Sequence, residues 1–421
     1  MNTTTSSNLF PMPQDGQDAE AHALGVRQPV LKVVGLGGGG CNAIERMMAL
    51  EMKGVEFIAA NTDVQVLKNH PAPVRILLGP KTTEGMGAGG NPERGRAAAE
   101  ESRQELSDAL AGADMIFLTA GMGGGTGTGS IPVAAEIARA QGAVTIAIVT
   151  TPFSFEMGRR QKNASEGLAR LREHTHTLVT IPNDRLIHVA PRNLSMQLAF
   201  HLADDVLRQA VQGITELVTT SGLINVDFAH IRRLIQLGGG ALMSIGQADG
   251  ENKARQALQQ ALHHPLLDSV DLSRAAGVIA NFTGGQDLTL FEVQDALTSL
   301  QARTGEDTEI IFGVITDDSM EGRAQVILMI TGLGAVPADE IFPGLKQPAR
   351  RPEPALAPAA RPASAGREAG ESAHPYYPPP AFHTGAPDEA PAAPRALNLA
   401  PAARDLPPFF RYRSNPDWRS R

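Results

Sequence analysis

The chain contains almost no cysteine: one residue, Cys41, in 421. An internal disulfide framework is therefore excluded, and this usage fits a reducing compartment. No apolar run approaches the ~18 residues a membrane-spanning helix needs, so no direct membrane span is expected. Cationic excess is also missing. Lys and Arg number 37 against 45 Asp and Glu, a formal charge of −8, which argues against nucleic acid as a partner. Met1 to Gln28 is rich in Ser, Thr, Asp and Gln and has no apolar signal core, so residues 1–29 read as a disordered arm and the protein as cytoplasmic. Before Tyr376 the only aromatic is phenylalanine; Tyr376, Tyr377, Tyr412 and the single Trp418 all fall in the last fifth.

Proline is abundant but unevenly placed, with 18 of its 30 copies from Pro337 onward. There it mixes with Ala, Arg and Glu without a period of 2 or 3.6, a composition that cannot offset ordering entropy. Residues 336–403 read as a disordered linker and 404–421 as a short docking peptide. Residues 30–193 instead alternate short β-rich runs (Leu31–Val34, Val55–Ala59, Ile76–Leu78, Met115–Thr119, Thr145–Thr150, Leu178–Ile181) with helical stretches, among them Asn42–Glu51 and Pro132–Ala140. This rhythm predicts an α/β fold, doubly wound around a mostly parallel sheet, with ligands beyond the strands' carboxyl ends. Apolar residues from Leu194 to Val218, at mostly three- and four-residue spacing, predict a long central helix over 194–220 of roughly 37 Å. A smaller α+β domain over 221–335 follows, with strands expected at Ala241–Ile245, Gly277–Phe282, Glu309–Val314 and Gln325–Ile330.

Glycine carries the chemistry. Gly121-Met-Gly-Gly-Gly-Thr-Gly-Thr-Gly129 joins an apolar strand to a helix, as a phosphate cradle would, with Thr126 and Thr128 as hydroxyl donors. It has no Gly-Lys-Ser/Thr ending, so it is not a P-loop. Gly35-Leu-Gly-Gly-Gly-Gly40 satisfies Gly-x-Gly-x-x-Gly, and Asp63 follows at the distance of a ribose-binding acid; alone, this pattern reads equally as a dinucleotide fingerprint. A third segment, Gly85-Met-Gly-Ala-Gly-Gly-Asn91, decides against a dehydrogenase, because three glycine loops on one sheet edge suit a triphosphate.

These motifs, in order along Leu31 to Gly334, resemble the FtsZ family of bacterial tubulin-like cell-division GTPases. Further resemblance lies in Asn61-Thr-Asp63, Pro152-Phe-Ser-Phe-Glu156, Ile181-Pro-Asn-Asp184, Phe200 with Asp204, Ala210-Val-Gln-Gly213 and Gly222-Leu-Ile-Asn-Val-Asp-Phe228. The resemblance implies a GTP/GDP site with Mg²⁺ carried on the nucleotide. Gly38, Gly39, Gly40, Asn42 and Asn61 would serve the α/β-phosphate side. Ala88, Gly89 and Gly90 would approach the γ-phosphate, and Gly124, Gly125, Thr126, Gly127, Thr128 and Gly129 would hold the phosphates from the helix end. Glu156 would bind ribose, Arg160 would supplement the backbone donors, and Asn183 belongs to the same set. Phe200 would stack on the base. Asp204 can accept both N1–H and N2–H of guanine, a donor pair adenine lacks.

The family also implies head-to-tail self-polymerisation into filaments at the division site, each subunit's loop completing its neighbour's pocket. Here that loop carries Asn225, Asp227 and His230, with His230 where the family usually has a second aspartate. A neutral imidazole has one acceptor nitrogen, and its protonated form beside phosphate has none. Two outcomes stand: GTP hydrolysis weakened by His230, or a non-hydrolysing structural or regulatory filament protein co-assembling with a catalytic relative. Asp405-Leu-Pro-Pro-Phe-Phe-Arg411 resembles the peptide by which the family docks onto membrane-tethering and regulatory division proteins, which places that contact in 404–413. No protein-ligated metal is expected, since His174, His176, His263 and His264 lack companion ligands.

Overall fold

The computed structural model describes residues 28–332, apart from Lys53, Met157, 188–194, Ser221, Asn225, 238–239, 265–266, 268–270 and 306–307. The arm expected at 1–29 (but for Gln28 and Pro29), the linker, the docking peptide with Trp418, and Asn225 lie outside the described residues.

Among the described residues ten strands form one sheet: β1 Leu31–Leu36, β2 Glu56–Asn61, β3 Val74–Leu77, β4 Met115–Gly121, β5 Val144–Thr151, β6 Thr177–Pro182, β7 Gly240–Asp249, β8 Gly277–Gly284, β9 Glu309–Thr316 and β10 Arg323–Thr331. Their order is β3-β2-β1-β4-β5-β6-β7-β10-β8-β9. The first six are parallel throughout. Strands such as β5, buried at every position, are covered on both faces, as parallel sheets require. β7 joins through a short parallel pairing, Leu178 with Gly240 and Val179 with Ala241, after which β10 pairs antiparallel with both β7 and β8. The smaller region thus continues the first region's sheet, a link that no sequence period announces.

The longer helices are α1 Gly37–Ala49, α2 Pro92–Glu101, α3 Arg103–Leu110, α4 Thr126–Ala140, α5 Arg159–His174, α6 Met196–Thr219, α7 Phe228–Gln236, α8 Lys253–Leu262 and α9 Leu290–Thr304. Residues of α1, α6 and α7 share one apolar cluster with β1, β5, β8 and β10, while α2 to α5 build a second cluster with the first strands. A third lies among α8, α9 and β7 to β10. Two helices start earlier than expected. α1 begins at Gly37 rather than Asn42, and α4 at Thr126 rather than Pro132, which sits inside the helix. Glycine and proline are the poorest helix formers, so local propensity hid both first turns, and tertiary packing supplies what propensity lacks.

α6 is the spine. Ser195 caps it by accepting from the Leu198 N–H at 3.2 Å. Val206, Leu207, Ala210, Val211, Ile214 and Leu217 are buried in a cluster that also holds Val33 and Ile146 from the first region and Ile279, Ile327 and Met329 from the second. At Gly213 the helix lies so close to β10 that an added Cβ would sit 2.8 Å from Ile327 Cδ1. Because both regions depend on this helix, Ile214→Ala is expected to cost about 2–4 kcal/mol. The loss should shift a single cooperative melt rather than split it. Circular dichroism against urea checks this, and two separated transitions would contradict the shared core.

Candidate functional site

The three glycine segments converge at the carboxyl ends of β1 to β4, held by backbone lying directly on backbone. Gly37 has a φ of +71°, and a Cβ there would meet Gly127 N at 2.6 Å. A Cβ on Gly129 would lie 2.0 Å from Pro92 O, at the start of α2. No larger residue fits either place. Gly40, Gly125, Gly127 and Gly129 are buried in these contacts, whereas Gly38 and Gly124 face open space. The alternating glycines were read from sequence as a cradle for phosphate. Their placement shows that several are demanded by packing between the segments themselves, while Gly38, Gly39, Asn42, Gly89, Gly90, Gly124 and Thr126 are among the members that keep some exposure.

Side chains tie the segments together. Thr62 and Thr126 hydroxyls are 2.6 Å apart, linking the end of β2 to the first turn of α4. Asn61 is buried, and its Oδ1 accepts from the N–H groups of Thr62 and Asp63, so it shapes the turn after β2. Thr128 is turned inward, its Oγ1 accepting from the Gly123 N–H at 2.8 Å. Ala88 is buried, with its Cβ against Gly125. Cys41 lies under the first segment, where burial pushes its thiol up to about 12 and leaves it unreactive at neutral pH.

A second group of residues lines the same edge after β5 and β6. Glu156 accepts from the Phe153 N–H at 2.9 Å and pairs with Arg160 one helical turn on. Asn183 follows β6 and is buried, and its Oδ1 has no hydrogen-bond partner among the described residues. An unpaired buried acceptor costs roughly 1–3 kcal/mol, so a ligand bearing an N–H or O–H donor fits this place. Phe200, near the start of α6, is partly exposed and meets Phe153 edge-on at 5.4 Å. One turn further on, Asp204 Oδ2 lies 3.3 Å from Arg46 Nε of α1. Burial pushes the Asp204 carboxyl up to about 6, against the opposing pull of Arg46.

Asp227 and His230 lie elsewhere. Asp227 caps α7, accepting from the Ala229 N–H at 2.9 Å, and the His230 N–H donates to the Asp227 carbonyl. Both side chains are exposed. Most of α6 runs between them and the base-side residues, with 15 residues or roughly 22 Å from Asp204 to its last residue, Thr219. Its last turn reaches the opposite edge of the sheet, where Thr219 packs at Gly54 just before β2. The far end of α7 is held at the amino end of β6, with Thr177 Oγ1 donating to Ile235 O. The glycine segments and the Asp227 loop of one chain therefore cannot meet.

Comparisons with known proteins agree with this architecture. A model of the Tubulin/FtsZ family GTPase domain matches residues 30–191, and one of the FtsZ family C-terminal domain matches 239–334. The cell division protein FtsZ 1 of Archaeoglobus fulgidus is 46% identical over 320 residues, covering 76% of this chain and 86% of its own. The chain belongs to the FtsZ family. An empty FtsZ dimer from M. jannaschii superposes with a TM-score of 0.72 at 44% identity, covering 77% of this chain and 93% of the other. The GTPγS-bound protofilament of CetZ2 from Haloferax volcanii matches at 0.62 and 21% identity, over 72% and 93%, which is a likeness of fold alone.

Three further residues complete the site; Arg46 and Asn163 carried no sequence signal, and Phe153 stood only within the Pro152–Glu156 motif. Arg46 sits on α1 as an ordinary helix cation and becomes Asp204's partner only through packing. Phe153 forms the floor under Phe200 and stacks on Phe155 at 5.0 Å. Asn163, inside α5, donates to the carbonyls of both Gly90 and Gly123.

Proposed function

We propose that this protein binds GTP on its three glycine segments, polymerises head to tail and hydrolyses GTP at the joint between subunits, building the cytoplasmic filament of the division site. The observation that carries this reading is the placement of Asp227 and His230 after the last turn of α6, at the amino ends of the strands, while their own chain's glycine segments lie at the carboxyl ends. A heterologous contact of this kind yields an open filament wherever its rotation does not close into a ring. Exposed apolar side chains support contact at both ends: Leu223 before the Asp227 loop, and Met86 and Phe155 beside the glycine segments. Relatives occur as an FtsZ dimer and a CetZ2 protofilament.

The roles follow from the chemistry of each group. Backbone N–H groups at Gly38, Gly39, Gly89, Gly90 and Gly124 through Thr128 would hold phosphate, with Gly40, Asn42, Asn61 and Ala88 shaping their segments; Gly129, expected among the donors, instead gives its N–H to Gly125 O within α4. Arg160 exchanges Glu156 for phosphate as Glu156 turns to the ribose. Phe200 stacks on guanine, Asp204 accepts from its N1–H and N2–H, and the free Asn183 acceptor takes a third donor. Mg²⁺ would ride on the phosphates largely through water. From the second subunit, Asp227 orients the attacking water with Asn225, and His230 completes the loop less well than a carboxylate. Residues 30–193 form the GTP-binding domain, 194–220 the connecting helix and 221–335 the domain presenting the loop. Residues 336–403 form a tether for 404–421, which binds membrane-tethering and regulatory division proteins.

Two measurements test this reading. Phosphate release should rise cooperatively with protein concentration alongside sedimentable polymer, and His230→Asp should raise turnover several-fold, since a positioned base contributes ~10²–10⁴. Polymer without phosphate would instead favour a purely structural filament, and an unchanged rate in His230→Asp would remove His230 as the weak point. Asp204 sets a pH limit. Its folded pKa of about 6 is raised, so the acceptor carboxylate is present above pH 6 and lost below it. Guanine nucleotide affinity should therefore fall towards tenfold per unit between pH 6 and 5. Asp204→Asn should bind weakly at every pH with a flat profile; a steep fall retained in that variant would place the titration elsewhere.

A further inference from the structure

We propose that Asn163 is a positioning residue that latches the third glycine segment against the signature loop, and so sets how strongly the site prefers a nucleoside triphosphate over a diphosphate. This rests on the GTP-binding reading above and adds a residue to it. The third segment is tied at its upstream side, where the Gly87 N–H donates to Thr62 O, and turns at its downstream side, where the Asn91 N–H donates to Ala88 O. Between these, Gly89 and Gly90 have φ of +59° and +70°, and no atom lies within 4 Å of a Cβ built on either. Packing does not hold them. Among the described residues, the side-chain hydrogen bond holding this stretch is that of Asn163 Nδ2 to Gly90 O, at 3.2 Å.

The same Nδ2 also donates to Gly123 O at 3.2 Å, in the signature loop. One amide therefore spends its two protons on two different glycine segments. Two facing carbonyls accept only from a donor, which fixes the amide's orientation. The surroundings make this a coupling point. Arg160 O lies 2.9 Å from where a Cβ on Gly123 would stand, so the start of α5 rests directly on the signature loop. Further along α5, Arg170 pairs with Glu93 at the start of α2, just beyond the third segment. Asn163 also forms part of the wall of a cavity of about 240 Å³ with Asn91, Pro92, Thr128 and Arg170. The amide is thus not locked by close packing on every side.

A segment that is free in its φ and ψ must be ordered before it can present N–H groups to a terminal phosphate. Asn163 does this ordering in advance, from outside the phosphate site. On the GTP-binding reading the third segment meets the terminal phosphate, which a diphosphate lacks, so a diphosphate gains nothing from the latch. The expected result is therefore a change in the ratio of the two affinities, which a general loosening of the fold would not produce.

The test uses the full-length protein with a fluorescent β,γ-imido GTP analogue and the corresponding GDP, in Asn163→Ala, Asn163→Ser and Asn163→Asp. In Asn163→Ala the analogue should bind roughly tenfold more weakly while GDP stays within about twofold, in line with two lost hydrogen bonds. Serine, which keeps one donor, should fall between alanine and the wild type. Aspartate, which sets an anion against two carbonyls, should lose at least as much as alanine. Equal weakening of both nucleotides, or none of either, would overturn the latch. If Asn163→Ala fails to fold, the serine variant decides by the same ratio. Failure of the wild type to bind either nucleotide would overturn the GTP-binding reading, and the latch with it.

Discussion

Backbone packed on backbone is the constraint on which this molecule depends. Three chain segments leave the carboxyl ends of neighbouring parallel strands and must fit beside one another in the width of a few strands. They do so because Gly37, Gly125, Gly127 and Gly129 present no side chain to their neighbours. The benefit is a surface of N–H groups from three segments on one edge, at which Gly38, Asn42, Gly89, Gly90 and Gly124 remain open. On the proposed reading, phosphate binding is a consequence of that packing. Replacing a packed glycine would disturb the neighbouring segment before any anion was involved.

The second constraint is length. On the proposed reading α6 meets the base through Phe200 and Asp204 in its first turns and presents the Asp227 loop beyond its last, with roughly 22 Å of helix between Asp204 and Thr219. Its apolar face is shared by strands of both matched regions, so the distance is held rigidly by one core. A site divided in this way works only when a second copy arrives. On the proposed reading assembly is a condition of the chemistry, and the chemistry in turn acts at the contact that holds the assembly together.

Much of this was legible in the residues, for reasons that differ by element. The strands of the parallel half stand out because strands buried on both faces are continuous apolar runs, as in β4 and β5. α6 stands out by its period. The starts of α1 and α4 were hidden, since four glycines in one and a glycine–threonine alternation with Pro132 in the other read as loop. The β6–β7 link rests on two residue pairs, too few to leave a pattern. Phe200 and Asp204 came from motif resemblance, but their partners Phe153 and Arg46 lie on other elements, and only tertiary packing brings them near. Asn163 had no signal at all: a helix asparagine surrounded by polar neighbours is indistinguishable from a solvated one until the fold places two carbonyls in front of it.

The central claim is that each GTP is hydrolysed by groups from two chains, and mixing complementary variants tests it most directly. Asp204→Ala impairs the pocket and keeps the loop, while Asp227→Ala impairs the loop and keeps the pocket. Each alone should release little phosphate from GTP, and an equimolar mixture should recover turnover well above the sum of the two. A mixture no more active than its separate components, with polymer still forming, would contradict the divided site.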